Sequence, residues 1–187
     1  LLCGVGGQGI ILASKLLSEA ALLAGYDIKQ SEVHGMSQRG GSVVSYIRLG
    51  EKIYSPLIAE NTADFIVSFE KMETLRYLSF ANKNTIFIIA DLILQPISVN
   101  IGKGKYPENI EKIFNDLGYC SKFIDVYKTA KEIGNLKTIN VITLAALAQY
   151  LPIADDIWFD TFKKILPTKI LDINLLAFKK IYKKEVV

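Results

Sequence analysis

The chain is poor in the residue types that carry most unaided chemistry. Its 187 residues include two cysteines, one histidine, one tryptophan and two methionines. Cys3 and Cys120 are too few and too far apart for a disulfide framework or a thiolate cluster, since an iron–sulfur centre generally takes about four thiolates. That usage points to a reducing, cytoplasmic setting. No apolar run approaches the roughly 20 residues a membrane span needs. The longest candidate, TIFIIADLIL, carries Asp91 and reads as a core strand. A strong excess of one charge is also missing: 22 basic and 19 acidic side chains leave a net +3, too mild to predict nucleic-acid binding. The basic surplus gathers in FKKIYKKEVV at the C-terminus, a solvated helix end with its lysines near the negative end of the dipole. There is no internal repeat and no low-complexity stretch. The chain opens inside a strand without an initiator methionine, and no basic region precedes an apolar stretch as in a signal peptide. A few native residues are expected ahead of Leu1, which leaves a targeting segment there open.

What remains is rich in core. Half the residues are apolar, and a chain of this length can bury roughly 70% of its unfolded surface without a metal or disulfide staple. LLCGV reads as a strand, GGQG breaks it, and IILASKLLSEAALLAG follows at helical spacing, with Gly25 suited to the position just past the helix end. This is the opening of a βαβ unit. YDIKQSEV alternates as a second strand. SVVSYIR and IYSPLI, on either side of LGEK, predict a β-hairpin, so the sheet is expected to be mixed.

ADFIVSFE is a strand with a helix, KMETLRYLSFA, behind it. NTIFIIAD is a near-continuous apolar run, as in a strand covered on both faces. NIGKGKYP is a loop, ENIEKIFNDLG an amphipathic helix ended by Gly118, SKFIDVY a short strand and KTAKEIG a brief helix. From residue 136 to 187 the pattern is helical throughout. The prediction is one domain spanning 1–187: an α/β fold, three-layer αβα, with a mostly parallel mixed sheet containing one hairpin and a helical C-terminal portion.

Two constellations could carry function. Gly4, Gly6 and Gly9 spell G-x-G-x-x-G at a strand-to-helix junction, with Gly7 and Gln8 between them and Asp27 and Glu32 further on. This is the context in which a glycine loop approaches a pyrophosphate at a helix N-terminus; a tight turn that binds nothing has the same spelling. The second is VHGMSQRGGSV, which holds the only histidine. His34, Ser37, Gln38 and Arg39 are hydrogen-bonding groups flanked by Gly35, Gly40 and Gly41, whose backbones tolerate unusual angles. Arg39 could clamp a carboxylate or phosphate. His34 as a general base has no evident nucleophile to serve, because Ser31, Ser37 and Ser42 lack an elbow motif. A satisfied histidine in a polar network at an interface is the alternative. Glu70 at a strand end, Asn140 opening an apolar helix, and Pro56 where a strand leaves the sheet are weaker candidates. We expect no metal site.

GVGGQG, HGMSQRGGSV, YSPLI, FEKMETLRYL and INVITLAALA, in that order from Gly4 to about Phe178, resemble the gamma-type domain of 2-oxoacid:ferredoxin oxidoreductases. Within that group the chain is most similar to the beta subunit of indolepyruvate ferredoxin oxidoreductases. The resemblance implies a subunit of an enzyme that oxidatively decarboxylates a 2-oxo acid to an acyl-CoA and passes electrons to ferredoxin. Thiamine diphosphate with Mg²⁺ and [4Fe–4S] clusters are then carried by a catalytic alpha-type partner, and coenzyme A is the acyl acceptor. No cofactor is expected on this chain, which lacks the cysteine sets and any G-D-G stretch.

On this resemblance, His34, Gly35, Ser37, Gln38, Arg39, Gly40 and Gly41 form a loop at the contact with the catalytic subunit, assisting coenzyme A or substrate-carboxylate binding. No catalytic step falls to them, and no membrane or nucleic-acid partner is implied. The apolar helices after Asn140 suggest a patch that would let the isolated chain form a homodimer. Two other readings stay open: a free-standing, Rossmann-like NAD(P)-binding protein using Gly4–Gly9, and a purely structural assembly module.

Overall fold

The structure, a computed structural model, describes residues 1–34, 40–96, 99, 102 and 104–182, with the backbone alone at His34. The chain builds a six-stranded sheet in the order β2-β3-β1-β4-β5-β6. Its strands are β1 (Leu2–Val5), β2 (Asp27–His34), β3 (Ser42–Gly50), β4 (Ala63–Ser68), β5 (Ala81–Ala90) and β6 (Cys120–Ile124). β1, β4, β5 and β6 pair in parallel, whereas β3 runs antiparallel to both β1 and β2. The fold is therefore α/β with a mixed sheet, as expected.

β5 explains why the sheet carries helices on both sides. Phe87, Ile88, Ile89 and Ala90 are fully buried. Successive strand side chains point to opposite faces, so Phe87 and Ile89 enter one core while Ile88 and Ala90 enter the other. On the first face, that of Ile88 and Ala90, lie α1 (Ile10–Leu23), α4 (Val126–Ile133), α5 (Ile139–Ala148), α6 (Asp155–Ile165) and α7 (Thr168–Tyr182); on the second, that of Phe87 and Ile89, lie α2 (Lys71–Leu75) and α3 (Ile110–Asp116). α5 is apolar all round, and every residue from Asn140 to Ala148 is buried; a helix hydrophobic on all sides belongs inside. α5 itself therefore adds nothing to the apolar patch expected from the helices after Asn140, because the sheet, α1, α4 and α7 cover it. An aromatic cluster locks the C-terminal helices together: Phe178 lies 5.3 Å from Trp158, 5.0 Å from Phe162 and 5.0 Å from Tyr182 between ring centroids.

Three sequence expectations are corrected. The hairpin is formed by β2 and β3 around residues 35–41, not by β3 and IYSPLI. Residues 53–58 form a loop, for which Pro56 supplies no N–H. It is held by other means: the Ile53 N–H donates to Asp27 Oδ2 at 2.8 Å and Arg48 Nη1 donates to Ser55 O at 3.2 Å. KMETLRYLSFA is not one helix but the short α2 followed by a 3-10 turn at Leu78–Phe80. Asp125 ends the strand expected through Tyr127, since its carboxylate accepts from the Lys128 N–H at 2.9 Å and caps α4. The expected loop NIGKGKYP and the final residues of FKKIYKKEVV fall partly outside the described residues. Among the described residues, no helix is long and apolar enough to cross a membrane.

Both cysteines are free, Cys3 buried in β1 and Cys120 exposed on the edge strand β6. Burial pushes the Cys3 thiol up to about 12, and thiolate is the reactive form. Native chain treated with iodoacetamide at pH 8 should therefore be alkylated once, at Cys120, with Cys3 reacting only after denaturation. Peptide mass spectrometry showing rapid native labelling of Cys3 would contradict the burial described here.

Candidate functional site

The C-terminal edge of the parallel strands is where an open α/β sheet gathers its functional loops, and most readily where the chain switches sides. Here the switch falls at β1, which has β3 on one side and β4 on the other. Gly6–Gly9 follow β1, Phe69 and Glu70 follow β4, and residues 35–41 connect β2 to β3 at the same edge. Val5 is paired with Ser42, and His34 with Val43. The two sequence constellations are therefore neighbours. The Gly6 N–H donates to Gly41 O at 2.8 Å, and the Gly40 N–H donates to Gly6 O at 3.4 Å.

The glycines are needed for different reasons. Gly4 passes beneath the Gln8 side chain, and a Cβ there would meet Gln8 Oε1 at 2.7 Å and Phe69 Cβ at 3.0 Å. Gln8 is an internal brace: its Oε1 accepts from the Val5 N–H at 2.7 Å, and its Nε2 donates to Phe69 O at 2.5 Å. It thus ties the turn to the ends of both β1 and β4. Gly9 caps α1 with φ 79°, no side chain among the described residues caps that helix, and its first turn holds no acidic residue. Such a turn suits an anion, which the helix dipole also favours. Asn140, at the start of α5, donates its Nδ2 to Gly9 O at 3.3 Å. Its buried Oδ1 finds no partner among the described residues.

Two buried carboxylates on α2 hold the flanks. Glu70, fully buried, is the N-cap of α2: its Oε2 accepts from the Glu73 N–H at 2.9 Å, and its Oε1 accepts from Tyr106 Oη at 2.6 Å and from the Leu94 N–H at 3.2 Å. Burial and the adjacent Glu70 carboxylate push the Tyr106 hydroxyl well above its ordinary value, so it stays protonated as the donor. Glu73 accepts from Ser42 Oγ at 2.6 Å and from Arg76 Nε at 2.9 Å. Beside them Lys71 pairs with Asp91 at 2.5 Å and Glu111 at 3.5 Å. Burial pulls its ammonium down, but these carboxylates outweigh that and hold it above the ordinary value.

Gly4, Gly6, Gly7, Gln8, Gly9, Gly40 and Gly41 are thus together at one edge, as is the backbone of His34. Gly35, Ser37, Gln38 and Arg39 lie outside the described residues. Asp27, one of the two acids considered for a dinucleotide, is at the opposite edge, bonded to Ile53 and Lys29. Glu32 accepts from Ser14 Oγ at 3.1 Å and Gln30 Nε2 at 2.7 Å. The antiparallel β3 also separates β1 from β2, which a dinucleotide βαβ unit would place side by side. YSPLI lies at the Asp27 edge, away from the glycine loop. Sequence reasoning weighed Ser42 only as a nucleophile and missed Glu73 and Tyr106; the available signal for Glu73 was FEKMETL, where two acids sit among apolar residues at a spacing that puts both on one helical turn.

With this geometry in view, the chain belongs to the pyruvate ferredoxin/flavodoxin oxidoreductase family, which it matches over residues 1–184. It is 39% identical over 184 residues to the indolepyruvate oxidoreductase subunit IorB of Thermococcus kodakarensis, an alignment covering 96% of this chain and 91% of the relative. Its fold is similar to that of the gamma subunit of a keto/oxoacid ferredoxin oxidoreductase from Geobacter sulfurreducens (TM-score 0.69, 16% identity, 97% of this chain and 94% of that one). It is also similar to part of the 2-oxoglutarate:ferredoxin oxidoreductase of Magnetococcus marinus (TM-score 0.72, 20% identity, 96% of this chain and 29% of that one).

The loop geometry separates two substitutions. A side chain at Gly7, where φ is 102° and the space is open, costs about 1–2 kcal/mol for the left-handed backbone alone. At Gly9 the same strain is joined by a Cβ lying 2.6 Å from Asn140 Nδ2. Gly9→Ala should lower the melting temperature more than Gly7→Ala, and adding Asn140→Ala should recover part of the difference. A larger loss at Gly7 in differential scanning calorimetry would count against this account of the turn.

Proposed function

We propose that the chain is the small subunit of an indolepyruvate-type 2-oxoacid:ferredoxin oxidoreductase, with its C-terminal sheet edge packed against the catalytic subunit that holds thiamine diphosphate, Mg²⁺ and [4Fe–4S] clusters. The complex converts a 2-oxo acid and coenzyme A to acyl-CoA and CO₂, and ferredoxin takes the two electrons. The observation that carries this reading is the joint between Gly6 and Gly41 at the switch point of the sheet. Exposed apolar side chains surround it at the same edge: Ile11, Val33, Ile93, Leu94 and Leu136. A rim of this kind suits burial against a partner.

Within the complex, the uncapped first turn of α1 and the glycine backbone fit the phosphates of coenzyme A, with Arg39 as a cationic clamp. The structure of the Magnetococcus marinus relative contains coenzyme A, which supports the same ligand here. The donor set does not fit an iron–sulfur cluster, because the chain's two cysteines sit in β1 and at the far edge strand β6. The oxidation therefore belongs to the partner, and this chain binds, orients and closes. We read residues 1–187 as a single gamma-type domain serving that role.

Affinity purification of the tagged chain from its native host should bring down a large thiamine diphosphate and iron–sulfur protein. The purified pair should reduce ferredoxin only when 2-oxo acid and coenzyme A are both present. A chain recovered alone under gentle conditions would count heavily against the subunit reading. Arg39→Ala in the reconstituted complex should leave assembly intact and raise the KM for coenzyme A by about tenfold, the loss of one charge-assisted contact. Lost assembly without a separate kinetic defect would instead make the loop an assembly device.

A further inference from the structure

We propose that Glu73 is a positioning residue: through Ser42 it holds the Gly40–Gly41 backbone against Gly6, and so sets the ligand-facing joint of the site. The proposal rests on the coenzyme A reading above and assigns a role to a side chain that would not touch the ligand. Glu73 is 3% exposed, yet both its oxygens are occupied. Oε2 accepts from Ser42 Oγ at 2.6 Å, and Oε1 accepts from Arg76 Nε at 2.9 Å. Tyr77 Oη lies 3.3 Å from Ser42 Oγ and closes the cluster. Ser42 is the first residue of β3 and follows Gly41 directly, the residue whose carbonyl receives the Gly6 N–H.

The fold itself does not require the bond between Ser42 and Glu73. Ser42 already pairs with Val5 in the β1–β3 ladder, and α2 is capped by Glu70. What the bond adds is a third fixed point. The ladder sets the height of Ser42 along the strand and the Gly6 bonds set its distance from the glycine loop; Glu73, on the second face of the sheet, then sets which way the backbone before Ser42 is turned. A buried carboxylate is costly to retain unless every oxygen has a donor, and a short hydroxyl-to-carboxylate bond is among the stiffer contacts available. A stiff anchor immediately before the joint is thus a means of placing ligand-binding amides.

The test uses Glu73→Gln, Ser42→Ala and Ser42→Thr in the reconstituted complex. Glu73→Gln and Ser42→Ala should each raise the KM for coenzyme A by about tenfold while kcat stays within about twofold. Ser42→Thr, which keeps the hydroxyl, should restore the wild-type KM. The double variant should be no worse than Ser42→Ala alone, because without the hydroxyl the contact between residues 42 and 73 is already lost. In the free chain, amide exchange at Gly6 should quicken by about tenfold in Glu73→Gln and Ser42→Ala. An unchanged KM in a complex whose wild type turns over would overturn the proposal, as would additive effects or a kcat that falls only with the amount of complex formed. A wild-type chain that neither assembles nor supports coenzyme A-dependent turnover sinks the subunit reading instead, and Gly6 exchange in the free chain then decides whether Glu73 anchors the joint.

Discussion

A pair of backbone hydrogen bonds, Gly6 to Gly41 and Gly40 to Gly6, joins two segments that the chain visits on opposite sides of α1 and β2, and the site is arranged around it. The joint exists because β3 descends antiparallel between β2 and β1. Had β2 paired directly with β1, as in a dinucleotide-binding unit, β3 would begin beyond β2 and its leading Gly40–Gly41 backbone would lie a strand further from Gly6. Inserting β3 delivers the connection to the C-terminal end of β1. Gly40 enters that approach with φ 76°, a left-handed backbone that glycine adopts without steric cost.

Around that joint the polar groups are held from the second face of the sheet. Glu70 and Glu73 are buried on the short α2, one gripping the segment after β5 through Leu94 and Tyr106, the other gripping Ser42. α2 is too short to be stable through its own hydrogen bonds. Its stability comes from burying Met72 and Leu75 against the second core and from the Glu70 cap. The same carboxylate that starts the helix therefore anchors a loop. Removing it would unpair the Glu73 N–H, the Leu94 N–H and the Tyr106 hydroxyl together, and for the buried Glu73 N–H alone that costs about 1–3 kcal/mol.

Much of this was legible in the chain, and what was not has a physical reason. Strands and helices announced themselves through periodicity, as with Ile10–Leu23 and the doubly buried β5. The glycine loop was placed correctly because a strand, a turn and a helix follow one another locally. The hairpin was misplaced because SVVSYIR and IYSPLI have strand composition, and composition does not reveal that Asp27 and Arg48 capture the second run as a loop. The apolar α5 suggested an exposed patch because a helix that is apolar all round looks the same whether its cover comes from within the chain or from a partner. Here α1, α4, α7 and the sheet supply the cover. The contact between Ser42 and Glu73 escaped notice for a different reason. Their bond spans 31 residues, and nothing local in the spelling of either marks it.

On the proposed reading, a subunit without a nucleophile still contributes to the rate. Coenzyme A is a large ligand whose reacting thiol is remote from its phosphates. Binding energy collected at those phosphates can be spent on bringing the thiol to the catalytic centre, which raises kcat/KM only when the binding site is rigid relative to that centre. A glycine loop by itself supplies donors but little rigidity. In this chain Gln8 braces the loop to the ends of β1 and β4, Asn140 ties its far end to α5, and the antiparallel β3 pins its middle. Each brace reaches a different structural element, so the loop cannot tilt without disturbing β4, α5 or β3. The chemistry of the partner is thereby matched by a surface with few reactive groups, whose contribution is to hold its backbone still.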